Sequence, residues 1–201
     1  MSTIPLRCAC GAVTGHVEHH APVPRNVCHC AGCQGYARWL DREEVMLDAA
    51  GGTDLFQLTP SQLRIDGTEQ LRCVRLTPKG AVRWYTACCR TPVANTLDAA
   101  WVPWLALHHR FVDAEAVGGD TRSAALGPVA YRIHCRNARQ PVPDGHPTGP
   151  VGLVVNTLIG TLWDTARGRA RPNPFFDGRE LVAEIEHISE PDRQALGLGS
   201  G

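Results

Sequence analysis

Three cysteines fall within six residues of this chain, at Cys28, Cys30 and Cys33. This C-x-C-x-x-C spacing places three soft sulfur donors on one short turn, where they are too close for easy mutual disulfides and well placed to share one metal ion. Three protein ligands leave tetrahedral zinc with one open position. The sequence therefore predicts a metal site at this turn, and it leaves open whether a further side chain or a reactive ligand completes that site.

Four more cysteines form two further groups, Cys8 with Cys10 and Cys88 with Cys89. The chain has nine cysteines in all, which is a large and odd number. In a reducing compartment, where disulfides rarely persist, clustered thiols indicate metal or redox chemistry. Residue order alone does not say which groups share an ion.

Charge and hydropathy exclude several classes of partner. The 201 residues suit one domain of ordinary size, with enough chain to bury a core without disulfides. Basic and acidic residues number 20 each, so the chain carries no charge signal for a nucleic acid or an anionic membrane. Residues 1–7 lack the apolar region of a secretory signal, and the longest apolar stretch, 151–163, is shorter than the ~20 residues of a membrane span. We therefore expect a cytoplasmic protein with neither a nucleic-acid nor a membrane partner.

Short runs rich in β-branched and aromatic residues recur before the C-terminal part of the chain. They are Ile4–Glu18, which bends at Gly11, then Leu55–Leu58, Leu71–Leu76, Val82–Thr86, Ala100–Leu107 and Ala130–Cys135. Thr77–Gly80 is typical of a hairpin turn, with Gly80 at a position that tolerates positive φ. Gln34–Leu40 fits a helix as well as a strand. Strands this short and this regularly spaced predict a mainly β domain of antiparallel sheets.

A segment rich in proline and glycine, Pro141–Pro150, marks the clearest boundary. Beyond it, apolar residues recur at helical spacing. They are Val151, Val154, Val155, Leu158, Ile159, Leu162 and Trp163. Ser189 is typical of the cap of a last short helix that runs to about Leu196. Because this part alone has too little to bury, we predict a metal-binding β-domain over residues 1–140. A linker and a helical extension packed on that domain then fill residues 141–201.

Several other side chains have structural explanations that the sequence favours. Cys73 and Cys135 lie in apolar strand contexts, where a thiol behaves as a small hydrophobic side chain. The histidine pairs His19-His20 and His108-His109 are expected to be solvated. For four of the five tryptophans, which no basic patch accompanies, we expect core positions rather than base stacking. They are Trp84, Trp101, Trp104 and Trp163.

Two motifs and a later strand together resemble one known family. The sequences are Arg7-Cys8-Ala9-Cys10-Gly11-Ala12-Val13, then Cys28-His29-Cys30-Ala31-Gly32-Cys33, then an aromatic strand that ends in Cys88-Cys89-Arg90-Thr91-Pro92. Over residues 4–98 this pattern is similar to a bacterial branch of the glutathione-dependent formaldehyde-activating enzymes and centromere protein V-like proteins. The resemblance implies an Mss4-like β-tent of antiparallel sheets with two zinc positions. It also implies carbon–sulfur lyase chemistry on an adduct of glutathione or another small thiol.

The resemblance assigns the cysteines to two zinc sites. In that family a C-x-C pair joins a later C-x-x-C in a structural site, and Cys8 with Cys10 matches the first pair. These two residues are also spaced to project from one face of an extended chain. The C-x-C-x-x-C turn matches the second zinc, where the glutathione adduct binds. Gln34, Tyr36 and Asn95 lie near the motifs and are candidates to line a pocket for the thiol.

The later cysteine pair departs from the family pattern. Alignment on Thr91-Pro92 places Cys89 at the last cysteine but Thr86, a poor zinc ligand, at the other. Adjacent cysteines share an ion only across a sharp backbone bend, since successive side chains in a strand diverge. Cys88 is the nearest substitute, and Cys135 is an alternative from outside the group. The predicted ligands, for one or two zinc ions, are Cys8, Cys10, Cys28, Cys30, Cys33, Cys88 and Cys89.

Two classes of function stay open on the sequence. The first is a zinc enzyme of the carbon–sulfur lyase type, in which a small-molecule thiol such as glutathione takes the open position on Cys28, Cys30 and Cys33. The second is a non-catalytic zinc-binding module that serves as a structural or interaction scaffold, because a fold does not fix a function. In that second case a protein side chain, such as His29, completes the site. Zinc is favoured over an iron–sulfur cluster, copper or a redox dithiol, because a site of this kind needs no redox centre and tetrahedral sulfur coordination suits zinc.

Overall fold

The computed structural model of the chain describes residues 2–19, 24–117 and 126–198. Thirteen strands and four α-helices lie in these ranges. The strands are β1 (Ser2–Arg7), β2 (Thr14–His19), β3 (Arg25–Cys28), β4 (Thr53–Leu58), β5 (Leu63–Asp66), β6 (Leu71–Arg75), β7 (Val82–Thr86), β8 (Pro92–Thr96), β9 (Leu105–His108), β10 (Tyr131–Ile133), β11 (Phe176–Asp177), β12 (Glu180–Leu181) and β13 (Ile185–His187). The helices are α1 (Ala31–Trp39), α2 (Glu43–Met46), α3 (Val151–Ala166) and α4 (Glu190–Ala195). The fold is mainly β with helices near the C-terminus, as predicted.

The strands form one large sheet, one small sheet and a two-stranded ribbon. The large sheet has the order β10-β3-β4-β9-β8-β7-β6-β13, and the small sheet has the order β1-β2-β5. The inner pairs of the large sheet are antiparallel, whereas the edge strands β10 and β13 run parallel to their neighbours β3 and β6. The antiparallel prediction is confirmed for the inner strands, and the specific β-tent stays a prediction.

Strand β7 shows why the large sheet is buried on both faces. All five of its residues are buried. Trp84 packs into the main core, which residues of both sheets form and which includes Val17 of β2. The alternate side chains face α1, because Tyr85 packs in a second core with Tyr36 and the Arg83 guanidinium lies over the Tyr36 ring. Helix α1 therefore covers one face of the large sheet, and the small sheet covers the other.

The predicted hairpin turn joins β6 to β7. The amide of Gly80 donates to the carbonyl of Thr77 at 3.0 Å. The predicted reason for the glycine was wrong, since Gly80 does not adopt a positive φ. A Cβ at this position would lie 2.5 Å from Thr77 Oγ1. A side chain at this position would therefore displace the Thr77 hydroxyl, which favours glycine here.

The C-terminal part contributes strands to the β fold as well as helices. Phe175 is fully buried against Trp84, with ring centroids 4.7 Å apart, and β13 extends the large sheet beside β6. The sequence did not predict β11, β12 or β13, which are two or three residues long. The predicted last helix is confirmed, and the Ser189 hydroxyl caps it by accepting from the Asp192 amide at 3.3 Å. The division of the chain at residue 141 stays a prediction.

Helix α3 confirms the predicted helical spacing, but its apolar stripe does not pack on the β-domain as expected. Leu158 is 60% exposed, Leu162 is 72% exposed and Trp163 is 59% exposed. Trp101 and Trp163 also depart from their predicted core positions, whereas Trp84 is fully buried as predicted. Among the helices of the described ranges, none has both the length and the apolar character that crossing a bilayer requires.

Candidate metal centres

Four thiols from two distant parts of the chain come together in one group. The sulfurs of Cys8, Cys10, Cys88 and Cys89 all lie within 4.8 Å of one another. The Sγ–Sγ distances are 3.6 Å between Cys8 and Cys10, 3.9 Å between Cys8 and Cys88, and 3.8 Å between Cys88 and Cys89. Four sulfurs bound to tetrahedral zinc at ~2.3 Å are about 3.8 Å apart. The four-thiol group therefore has the donor type and the spacing of a tetrahedral metal site.

The first two cysteines meet across a turn. The prediction that Cys8 and Cys10 project from one face of an extended strand was wrong, because β1 ends before Cys8. The amide of Gly11 donates to the carbonyl of Cys8 at 2.9 Å, and Gly11 adopts a φ of +79° that favours glycine. The amide of Val13 also donates to Cys8 Sγ at 3.2 Å. This turn holds Cys8 buried and Cys10 exposed with their sulfurs in contact.

The adjacent cysteines both reach the group because the chain reverses sharply after β7. The amide of Arg90 donates to the carbonyl of Thr86 at 2.8 Å, and Arg90 adopts a left-handed φ of +54°. This is the bend that two neighbouring cysteines need if they are to share one ion. Of the two alternatives left open by the sequence, the structure brings Cys88 into the group and leaves Cys135 outside it.

Two threonine hydroxyls surround Cys89. Thr86, the residue that replaces the expected cysteine, has its Oγ1 3.4 Å from Cys89 Sγ and accepts from the Thr91 amide at 3.1 Å. Thr91 Oγ1 lies 3.1 Å from Cys89 Sγ and accepts from the Ala9 amide at 3.0 Å. Burial alone would raise the pKa of Cys89, but hydrogen bonds with Thr86, Thr91 and Cys10 together outweigh it and lower the pKa to about 6. Thr86 thus supports the group as a hydrogen-bond donor to sulfur, a role that the sequence analysis missed.

We expect Thr91→Val to weaken zinc binding at the four-thiol group by about 10- to 100-fold, because it removes the hydroxyl that orients Cys89 and holds Ala9. The shape of the side chain is nearly unchanged. Competition with a chromophoric chelator measures the affinity, and the Cys28, Cys30 and Cys33 group of the same molecule is the internal control. Equal weakening at both groups would contradict a local role for Thr91.

The second group contains the three closely spaced cysteines. Cys28 is the last residue of β3, Cys30 is the N-cap of α1, and Cys33 lies in the first turn of that helix. Their sulfurs lie within 4.8 Å of one another, and Cys30 Sγ accepts from the Cys33 amide at 3.3 Å. Gln34–Leu40, which the sequence left open between helix and strand, lies in α1 and its C-cap. The start of a helix favours negative charge, so this position suits thiolates.

No fourth cysteine, histidine or carboxylate joins this three-thiol group in the described part of the chain. His29 is fully buried, but its ring points to other residues. Its Nδ1 lies 3.4 Å from the Ile133 carbonyl and 3.6 Å from Cys135 Sγ, while its Nε2 lies 3.9 Å from an Asp48 carboxylate oxygen. The structure therefore does not place His29 as the fourth ligand.

Two of the predicted pocket residues hold the turn in place. The Gln34 amide nitrogen donates to the carbonyls of His29 and Asn137 at 2.9 and 2.8 Å. The Tyr36 hydroxyl donates to the carbonyl of Trp84 at 2.9 Å, which ties α1 to β7. Both side chains are buried. Their observed contacts are structural and fix the orientation of the thiol turn.

Arg83 is a functional candidate that the sequence analysis missed. Its guanidinium is buried, lies 3.9 Å from Cys33 Sγ and donates to Asn95 Oδ1 at 3.2 Å. The third predicted pocket residue, Asn95, thus contacts the guanidinium that lies beside the three-thiol group. The signal that could have found Arg83 is a charged residue at the centre of an apolar strand, beside the core residue Trp84.

The three thiols differ in acidity. Hydrogen bonds from Cys28 and Cys33, together with the Arg83 charge, lower the pKa of Cys30 well below its ordinary value. Hydrogen bonds to Cys30 and Cys33, followed by burial, raise the pKa of Cys28. One thiolate is therefore favoured before a metal binds, and a metal ion would displace the remaining protons.

Buried polar side chains lie on the sheet near the thiol turn. Thr53 of β4 pairs directly with Cys28 of β3. Asn26 of β3 and His108 of β9 both pair with the same residue of β4, one from each side. Asn26 Oδ1, Thr53 Oγ1 and both ring nitrogens of His108 have no hydrogen-bond partner among the described residues. Burial and then the Arg83 charge lower the pKa of His108, so its ring is neutral. The prediction that His108 is solvated was therefore wrong.

The remaining predicted residues lie outside both groups. Cys73 is buried as predicted, whereas Cys135 is only partly buried. His109 is partly buried, and its Nδ1 lies 3.1 Å from a backbone carbonyl. The side chain of His19 and the whole of His20 lie outside the described residues.

Comparison with known proteins identifies one family. The model of a family of unknown function, DUF6151, matches residues 1–186 of the 201-residue chain. A search among curated proteins found no match. The family match spans both cysteine groups, Arg83 and the strands of the C-terminal part up to residue 186. On this evidence the chain belongs to the DUF6151 family.

Proposed function

We propose that the protein binds one zinc ion at each cysteine group, and that the three-thiol group binds and activates a small-molecule thiol for carbon–sulfur bond formation or cleavage. The observation that carries this proposal is the difference between the two groups. Cys28, Cys30 and Cys33 supply three thiols with no fourth protein ligand among the described residues, whereas the other group supplies four. A four-thiolate site is closed and structural, and a three-ligand site keeps a position for a substrate.

Zinc is the metal that the donor sets fit best. Both groups consist of soft sulfur donors, and the distances within the four-thiol group match tetrahedral coordination. All nine cysteines are free thiols, so none of these donors is consumed in a disulfide. The motifs that resemble the formaldehyde-activating family support the same metal and the same β-tent fold.

The chemistry proposed is the addition of a thiol to an aldehyde and its reversal. The sulfur–carbon bond forms, the carbonyl π bond opens, and the proton lost by the thiol ends on the new hydroxyl group. Zinc, when bound, would lower the pKa of the thiol at the fourth position. The chain contributes three anionic donors, the start of helix α1 and the Arg83 cation close to Cys33. Glutathione is the thiol that the family resemblance favours.

Metal content and spectroscopy test this proposal. Wild-type protein purified without chelator is expected to contain two zinc ions per chain, one for each group. The Cys30→Ser variant is expected to contain one zinc ion per chain. After replacement of zinc by cobalt, glutathione is expected to change the visible spectrum of the wild type but not that of Cys30→Ser. NMR measures the rate at which glutathione and formaldehyde exchange with their adduct. The wild type is expected to accelerate this exchange and Cys30→Ser is not, while the variant keeps the wild-type circular dichroism spectrum.

The control is Thr53→Val, which alters a buried residue opposite Cys28 without removing a metal ligand. We expect it to keep both zinc ions. Two zinc ions with neither a spectral change nor turnover in the wild type would overturn the lyase proposal and favour the non-catalytic module. Global unfolding of Cys30→Ser would likewise assign the three-thiol group a structural role.

A further inference from the structure

Arg83 is buried in the middle of the large sheet with its charge directed at the thiol turn. Only 9% of its surface is exposed. Its Nη1 lies 3.9 Å from Cys33 Sγ, and a Cβ on Gly32 would lie 2.9 Å from its Nη2. The guanidinium also lies over the Tyr36 ring at 5.3 Å. The cation is therefore fixed directly against the backbone and sulfur of the three-thiol group.

No carboxylate in the described part of the chain balances this charge. None of the ion pairs formed by the described residues includes Arg83. Arg25 is buried to a similar degree, and the carboxylate of Asp54 lies 2.5 Å from its guanidinium and balances its charge. A buried cation without an anion costs several kcal/mol. Arg83 therefore needs a negative partner, and its surroundings must supply one.

The neighbours of Arg83 other than the thiols are neutral. Asn95 is an amide, burial raises the pKa of Tyr36 and keeps its hydroxyl protonated, and burial lowers the pKa of His108 so that its ring is uncharged. Among the described residues, the groups within reach that can supply negative charge are the sulfurs of the three-thiol group, and Cys33 Sγ lies 3.9 Å from the guanidinium. The guanidinium and the three-thiol group are thus electrostatic partners.

We propose that Arg83 is the built-in counter-ion of the three-thiol group and makes its open position selective for an anionic sulfur ligand. The inference rests on the proposed function, because it assumes a divalent ion on Cys28, Cys30 and Cys33. Such an ion with three thiolates carries one negative charge, which Arg83 neutralises. A fourth, external thiolate gives the metal with its four sulfur ligands two negative charges. The Arg83 cation then reduces the net charge of this buried site to one negative charge. A neutral ligand such as imidazole adds no charge and gains nothing from Arg83.

The test compares two ligands on cobalt-loaded protein. Visible spectroscopy measures the affinity of glutathione, which binds as a thiolate, and of imidazole, which binds without charge. Arg83→Met is expected to weaken glutathione binding at least about tenfold and to leave imidazole binding within about twofold. Arg83→Lys keeps the charge and is expected to restore most of the preference for the thiolate. The cobalt content of the four-thiol group reports in the same samples that the fold is intact.

A second variant keeps the arginine and removes its effect. Asn95→Asp is nearly isosteric and places a carboxylate where Arg83 now donates to an amide oxygen at 3.2 Å. It is expected to weaken glutathione binding as Arg83→Met does, and it tests the inference even where Arg83→Met does not fold. Equal losses for glutathione and imidazole, or none in either variant, would overturn the counter-ion role. Failure of the wild type to bind glutathione would instead overturn the proposed function.

Discussion

Cys10→Ser is expected to abolish the zinc-dependent stability that the four-thiol group provides, and to leave the stability of the metal-free protein unchanged. Cys10 is exposed, so its thiol has no packing to lose. Its sulfur lies 3.6 Å from that of buried Cys8 and is one of four donors to the proposed ion. With free zinc held at a thousand times Kd, a site in the folded state adds about 4 kcal/mol to the free energy of unfolding. We expect that increment to be lost.

The position of the four-thiol group explains why its loss affects the whole fold. Cys8 and Cys10 lie in the turn between β1 and β2 of the small sheet, whereas Cys88 and Cys89 lie in the turn between β7 and β8 of the large sheet. In the described structure a hydrogen bond from the Ala9 amide to Thr91 Oγ1 at 3.0 Å also joins these turns. A metal ion here would cross-link the two sheets that enclose the main core.

Urea unfolding of the wild type and Cys10→Ser, each in buffered zinc and in excess chelator, measures the effect. In chelator the two proteins are expected to agree within about 0.5 kcal/mol, because the substitution is at the surface. Cys30→Ser is the comparison variant, since it leaves Cys8, Cys10, Cys88 and Cys89 intact and is expected to keep the increment of the four-thiol group. Zinc that stabilises Cys10→Ser as much as the wild type would show that the four thiols do not share an ion.

The sequence predicted the cysteine groups well because the motifs are local. Cys28, Cys30 and Cys33 meet within one turn, and no tertiary contact is needed to bring them together. The pairing of Cys8 and Cys10 with the later cysteines is non-local, and only the family resemblance predicted it. The same resemblance made Thr86 look like a lost ligand, whereas the sharp turn after β7 brings both adjacent cysteines to the group.

The predictions that failed depended on contacts across the sheets. His108 was expected to be solvated because a histidine pair is polar, but its position in β9, between β4 and β8, buries it completely. The sequence shows Arg83 as a charged residue within an apolar strand, but it does not show the role of that charge, since nothing in β7 says that α1 and its thiols cover one face. Hydrophobic periodicity identified α3, yet periodicity gives the apolar face of a helix and not the surface that covers it. Strands as short as β11 and β12 carry too little pattern to detect.

Phe175→Ala is expected to destabilise the protein by about 3–5 kcal/mol, the usual cost of removing a fully buried phenylalanine. Phe175 is 0% exposed and packs on Trp84 in the main core, so the cavity would form at the centre of the β fold. The matched control is Leu162→Ala in α3, also within residues 141–201. Because Leu162 is 72% exposed, its loss is expected to change the free energy of unfolding by no more than about 0.5 kcal/mol.

The comparison of these two variants, measured by urea unfolding with zinc buffered equally, decides how the C-terminal part is attached. A large loss for Phe175→Ala with a small one for Leu162→Ala means that residues near β11–β13 complete the main core while α3 lies outside it. The opposite result would mean that the apolar stripe of α3 is buried on the β-domain in solution. Because β13 pairs with β6 and Cys73 Sγ donates to the carbonyl of Ala183 at 3.6 Å, the first result is the one that the observed contacts require.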